Sequence, residues 1–108
     1  MKYNVETTPN FEKEAKRLLK KYPSLRQELG NLVSELQENP LLGIDMGNNV
    51  RKIRLAIASK GKGKSGGGRV LSYCRIEKDT VFLFSIYNKG EQDDISDNKI
   101  KKLIQGLE

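Results

Sequence analysis

Histidine is absent from the 108-residue sequence, and cysteine occurs once, at Cys74. Without histidine there is no Ser-His-Asp or Cys-His nucleophile pair, no imidazole-bound zinc and no paired-imidazole cleavage of RNA. With one thiol, an intramolecular disulfide is impossible and a cysteine metal cage has too few ligands. No apolar run approaches the roughly 20 residues that cross a bilayer. The opening stretch from Met1 to Thr8 is polar and alternating, unlike a leader. A cytoplasmic protein with no membrane partner is expected, carrying neither metal nor cofactor. Chemistry near neutral pH would have to run on Lys, Arg, Tyr, Asp, Glu or groups of the substrate itself.

Positive charge is plentiful, and it is unevenly spread. The chain carries a net charge of +6 and a pI near 9.5. Between Arg51 and Arg75 lie eight basic residues (Arg51, Lys52, Arg54, Lys60, Lys62, Lys64, Arg69 and Arg75) and no acid. The rest of the chain holds twelve basic residues against all fourteen acids, so the excess belongs to one segment. Such a segment points to a polyanionic partner. Length alone predicts a single domain over residues 1–108.

Periodicity divides the chain into seven elements. Lys2–Thr7 alternates like a short strand. Phe11, Ala15, Leu18 and Tyr22 make one helical stripe after Thr8-Pro9-Asn10, and Pro23 disfavours helical geometry at Tyr22. Ser24 is placed to cap a second helix bearing Leu25, Leu29, Leu32, Val33 and Leu36, which stops near Asn39-Pro40. The short link makes the pair a helical hairpin. Leu41–Asn49 reads as a loop. The period then falls to two: Ile53, Leu55 and Ile57 alternate with Lys52, Arg54 and Ala56. Ser59–Gly68 reads as a flexible Gly/Lys loop, Arg69–Ile76 as a second strand of a meander, and Thr80–Tyr87 as a third with Phe82, Phe84 and Ile86 on one face. Ser96 caps a last helix striped by Ile100, Leu103, Ile104 and Leu107. The order β-α-α-β-β-β-α predicts an α+β fold, with the hairpin on one sheet face. The other face, carrying Lys52, Arg54, Arg69 and Arg75, is left to solvent or ligand.

Several motifs have plainer readings. Gly63-Lys64-Ser65 matches the end of a P-loop, but Ala58 stands where the first glycine is required, and a strand rather than a helix follows. Cys74 shares a face with Val70 and Ile76 and reads as core. Asp93, Asp94 and Asp97 lack calcium-loop spacing and read as helix N-terminal charge. Lys52 and Arg54 point the same way, and a meander brings Arg69 beside them. Like charges on one sheet face repel and contribute nothing to folding, so an anionic ligand accounts for them better. Tyr87 is expected on the same side, either as a packing residue capping the strand end or, beside Arg54 and Arg69, to stack on a base or exchange a proton. Lys60, Lys62 and Lys64 form a lysine comb suited to phosphates.

The run RKIRLAIASKGKGKSGGGRVLSYCRIEKDTVFLFSIYNKGEQDDIS, from Arg51 to Ser96, together with the upstream FEKEAKRLLKKYPSL stretch, resembles the HigB-type branch of the RelE/ParE toxins of bacterial toxin–antitoxin systems. The resemblance implies a RelE-like fold, a twisted antiparallel sheet flanked by helices. It implies an endoribonuclease that cuts mRNA on the ribosome, with 16S rRNA contacts, and so inhibits translation. It implies a cognate antitoxin, often a helix-turn-helix protein. By position, Lys52 and Arg54 match the basic pair on the first strand of the meander, Arg69 the arginine opening the next, and Lys89 a basic residue after the last. Where some relatives have arginine or histidine after that strand, this chain has Asn88, Lys89 and Gly90, and no aromatic follows Tyr87.

RNA supplies its own nucleophile, the 2′-OH, so no metal is needed. Lys52, Arg54, Arg69, Tyr87 and Lys89 are the expected catalytic set, with Lys52 or Tyr87 as base and Lys89 or Arg69 as acid. Lys60, Lys62, Lys64 and Arg75 are expected to bind RNA. A ParE-like poison of DNA gyrase and a non-catalytic nucleic-acid-binding module are the alternatives. Scarce aromatics for base stacking count against a sequence-reading RNA binder.

Overall fold

A threonine, a proline and a 4-3-4 apolar stripe start and seat the first helix, α1, Pro9–Lys21. Thr8 caps it by accepting a hydrogen bond from the Phe11 amide at 3.2 Å. Tyr22, held extended ahead of Pro23, ends it. The second helix, α2, Leu25–Glu38, follows at once. Ser24 precedes it as expected, but its hydroxyl lies 2.8 Å from that of Ser59 and 3.1 Å from a Glu28 oxygen and does not cap the helix. The computed structural model describes residues 2–61, 67–92 and 94–107.

Five strands form one sheet: β1, Asn4–Thr7; β2, Ile44–Gly47; β3, Val50–Leu55; β4, Gly68–Arg75; and β5, Thr80–Asn88. Their spatial order is β1-β5-β4-β3-β2. The expected meander of β3, β4 and β5 is antiparallel throughout. Two features go beyond the expectation. The sheet is mixed, because β1 pairs parallel to β5. A further strand, β2, also occupies part of the stretch read as a loop. It is a four-residue edge strand joined to β3 by Asn48 and Asn49, both at positive φ (54° and 66°), the geometry a tight hairpin demands.

Two apolar layers sandwich the sheet. On one face Phe11, Leu18, Leu25 and Leu36 of the helical hairpin pack on Ile53, Val70, Cys74, Val81, Leu83 and Ile86, so Cys74 is core as expected. On the other, Val50, Leu71, Tyr73, Phe84 and Tyr87 lie beneath Ile95, Ile100 and Ile104. The last two belong to α3, Asp97–Ile104, which Ser96 caps through the Lys99 amide at 3.2 Å. Part of the second face is therefore roofed by α3 and not left open along its length. The expectation that Phe82, Phe84 and Ile86 share a face fails at a β-bulge. Ser72 pairs with Leu83 while Leu71 pairs with Ser85, so two residues of β5 oppose one of β4 and the alternation slips. Phe84 joins the α3 side, and Ile86 the hairpin side. Ile76, expected on the core face, lies in a short 3-10 turn and is exposed.

Candidate nucleic-acid interface

Strand register decides which cations meet. Arg54 on β3 stands opposite Arg69 on β4, and Arg69 opposite Tyr87 on β5. Cross-strand partners share a face, so these three form one row across the sheet. Lys52, two residues from Arg54 on the same strand, lies about 7 Å along that face. The expected grouping of Lys52, Arg54, Arg69 and Tyr87 is thus brought together at the end of the sheet where β4 begins.

Within the row the four side chains differ. Arg54 is exposed and has no carboxylate partner among the described residues. Arg69 is only 5% exposed, and its Nη1 donates to the Gly68 carbonyl at 3.1 Å. It places charge beneath the surface and does not offer an open fork. The side chain of Lys52 is 20% exposed, and its ammonium lies 3.4 Å from Asp94 Oδ1. Tyr87 is on the expected side but buried, and its hydroxyl donates to the same Asp94 oxygen at 3.1 Å.

That environment reverses the behaviour expected of Tyr87. Burial, the hydrogen bond to Asp94 and the carboxylate's charge push its phenol up to about 12, against the pull of the Arg69 guanidinium. A phenol so shifted is a poor proton acceptor at neutral pH. Asp94 itself, exposed, is held below the usual carboxylate range. Partial burial opposes its ionisation, but hydrogen bonds from Tyr87 and Lys52, with the charges of Lys52 and Lys89, outweigh it. Asp94 was expected to serve as helix N-terminal charge. It lies outside the first turn of α3 and reaches back to the cationic row, whereas Asp97 does sit in that turn. Asp93 lies outside the described residues.

Lys89 follows β5, where its amide donates to the Gly67 carbonyl at 3.0 Å. A buried polar knot anchors this end of the strand. Asn88 donates to the Tyr22 hydroxyl at 2.8 Å and to Glu91 at 3.2 Å, and Lys60 Nζ donates to Asn88 Oδ1. Glu91 also binds Arg17 and Lys21, whose hydrogen bonds hold its carboxyl below the usual range. Lys60 was expected in a mobile comb. It lies instead in the 3-10 turn Ala58–Lys60 with its ammonium turned to Asn88. Lys62 and Lys64 lie outside the described residues. Arg75, expected with the other RNA-binding cations, sits six residues from Arg69 along β4, roughly 20 Å away. It is paired with Glu77 at 3.0 Å, so the local turn accounts for it.

A groove of about 570 Å³ runs beside Lys52 and Arg54, between β3 and α2. Leu32, Leu42, Ile53 and Leu55 line it, with Glu28 and Glu35 along its helical wall. Lys52 and Arg54 also line it, so the groove carries charge of both signs.

Sequence reasoning missed Asp94, Asn88, Tyr22 and Glu91. Their roles depend on contacts between segments far apart in the chain, and no local spacing announces them.

Comparison with known proteins adds a family. A family model described as the RelE toxin of the RelE/RelB toxin–antitoxin system matches residues 7–105. The isolated Escherichia coli RelE toxin superposes with a TM-score of 0.61 at 20% identity, over 97% of this chain and 99% of that one. A free-state arginine-to-alanine double mutant of the same toxin gives 0.60 at 20% identity, over 86% and 90%. The RelBE2 toxin–antitoxin complex of Mycobacterium tuberculosis gives 0.60 at 16% identity, over 82% and 99%. At these identities the structural likenesses establish the fold.

Proposed function

Because this chain belongs to the RelE family, toxins of toxin–antitoxin systems, we propose that it is an endoribonuclease that cleaves mRNA on the ribosome and is silenced by a cognate antitoxin. One observation carries the reading: Arg54, Arg69 and Tyr87 form a single row beside Lys52 on one sheet face. The HigB-type branch rests on the Arg51–Ser96 run.

In the proposed reaction the 2′-oxygen attacks the adjacent phosphorus. The P–O2′ bond forms, the P–O5′ bond breaks, and the products are a 2′,3′-cyclic phosphate and a 5′-OH. The transition state gathers negative charge on the non-bridging oxygens. Arg54, exposed on the row, binds those oxygens, and Arg69 adds positive charge from below. With Tyr87 pushed away from neutrality, Lys52 is left as the base, and it takes the 2′-OH proton as the free amine after releasing its own proton to solvent. Arginine cannot give up a proton in a protein, so the acid for the 5′-oxygen is Lys89 rather than Arg69.

Mapping of mRNA ends on programmed ribosomes tests this. Wild-type protein is expected to leave 5′-OH ends, and Arg54→Ala to lose about a hundredfold in cleavage rate while keeping its melting temperature. Arg54 suits the test because its exposure separates chemistry from folding. Intact mRNA together with gyrase-linked DNA breaks would replace the reading with that of a gyrase poison.

A further inference from the structure

One carboxylate oxygen joins Lys52 to Tyr87 on the face of the cationic row, and the reaction proposed above has no use for it. Asp94 Oδ1 accepts from the Tyr87 hydroxyl at 3.1 Å and lies 3.4 Å from Lys52 Nζ. Lys89 adds its charge nearby. An anionic oxygen bound by an ammonium and a hydroxyl is the environment a sugar-phosphate oxygen of RNA would occupy. The segment between β5 and α3 supplies that oxygen from within the chain.

We infer that Lys52 and Tyr87 form an RNA-oxygen subsite that Asp94 fills in the unliganded protein, so that RNA must displace the carboxylate to engage Lys52. The inference rests on the ribonuclease reading and adds a restraint to it. Two observations fit displacement better than a permanent structural bond. The Asp94 side chain is 61% exposed, so it can swing into water at little desolvation cost. Lys52 is the more enclosed partner and keeps its place on β3 when Asp94 leaves. Asp94 remains ionised throughout the neutral range, so the restraint is set by competition with polyanion and not by pH.

The test compares binding of a short 2′-O-methyl RNA, which cannot be cleaved, at low salt. Asp94→Asn keeps the shape and can still accept from Tyr87, but it surrenders the charge. It is expected to bind about fivefold tighter than wild type, the scale of one partly exposed ion pair. Glu38→Gln, which removes the same charge far from the row, controls for net charge and should gain less than half as much. In a Lys52→Gln background the effect of Asp94→Asn should vanish, which localises the competition to that ammonium. An Asp94→Asn protein that binds no tighter than wild type, or a gain that persists without Lys52, overturns the inference while the ribonuclease reading stands. Failure of both proteins to bind RNA also overturns the inference, while the ribonuclease reading is decided by end mapping on ribosomes.

Discussion

A phenol that donates to a carboxylate inside an apolar layer is stabilised in its neutral form, and Tyr87 is such a phenol. Its folded pKa, about 12, lies above its ordinary value near 10. The stabilisation is therefore complete below about pH 10 and is lost as pH rises through about 12. Denaturation midpoints should be flat in pH between 7 and 9 as far as Tyr87 is concerned, and should fall above 10. Tyr87→Phe should remove this alkaline component and cost roughly 1 kcal/mol at neutral pH, the usual net value of one hydrogen bond. An ultraviolet titration in which every tyrosine ionises together near pH 10 would contradict the burial and the bond. The side of the sheet on which Tyr87 lies was legible from strand alternation, because the slip at Phe84 and Ser85 left its pairing with Arg69 intact. That it packs was the plainer reading of a strand-end tyrosine, but what it packs beneath was not legible. That depends on Ile95 and Ile100, which sit past the last strand and reach Tyr87 only through the turn into α3.

At the scale of elements, α3 has the weakest claim to form alone. Eight residues are too few for an isolated helix, so its stability comes from Ile100 and Ile104 against the sheet and from the Ser96 cap. Ser96→Ala should cost about 1 kcal/mol. The loss should appear first as faster amide exchange in α3 and at Tyr87, before any change in α1 or α2, because α3 roofs only one face. Uniform acceleration across the chain would mean that α3 has no separate opening. The cap and stripe of α3 were legible, as were both hairpin helices, since each is written in a local 3.6-residue period. β2 was not. Ile44-Asp45-Met46-Gly47 is too short to show alternation, and all four residues are exposed. The Asn48-Asn49 pair was the available signal, because asparagine tolerates the positive φ of a two-residue hairpin turn. The parallel pairing of β1 with β5 has no signature in β1 itself. It follows from where the whole hairpin delivers the chain.

Across the whole molecule, charge is polarised. The Arg51–Arg75 segment holds eight cations and no acid, while the remainder carries two more acids than bases. Glu28 and Glu35 stand on the helical wall of the groove that Lys52 and Arg54 also line, so the two signs meet there. A polyanion is drawn toward the Arg51–Arg75 segment before any contact forms. The segment also contains Lys62 and Lys64, whose contribution can be read from binding. Each lysine that neutralises a phosphate of single-stranded RNA contributes about 0.7 to the slope of log affinity against log salt. Replacing Lys62 and Lys64 with alanine should therefore flatten that slope by about 1.4 and leave cleavage positions unchanged. Arg54→Ala, by contrast, should depress cleavage at every salt concentration, because it acts on the transition state rather than on encounter. An unchanged slope in the double lysine variant would mean that the loop does not touch RNA. The segment's positive excess would then act through the sheet row alone.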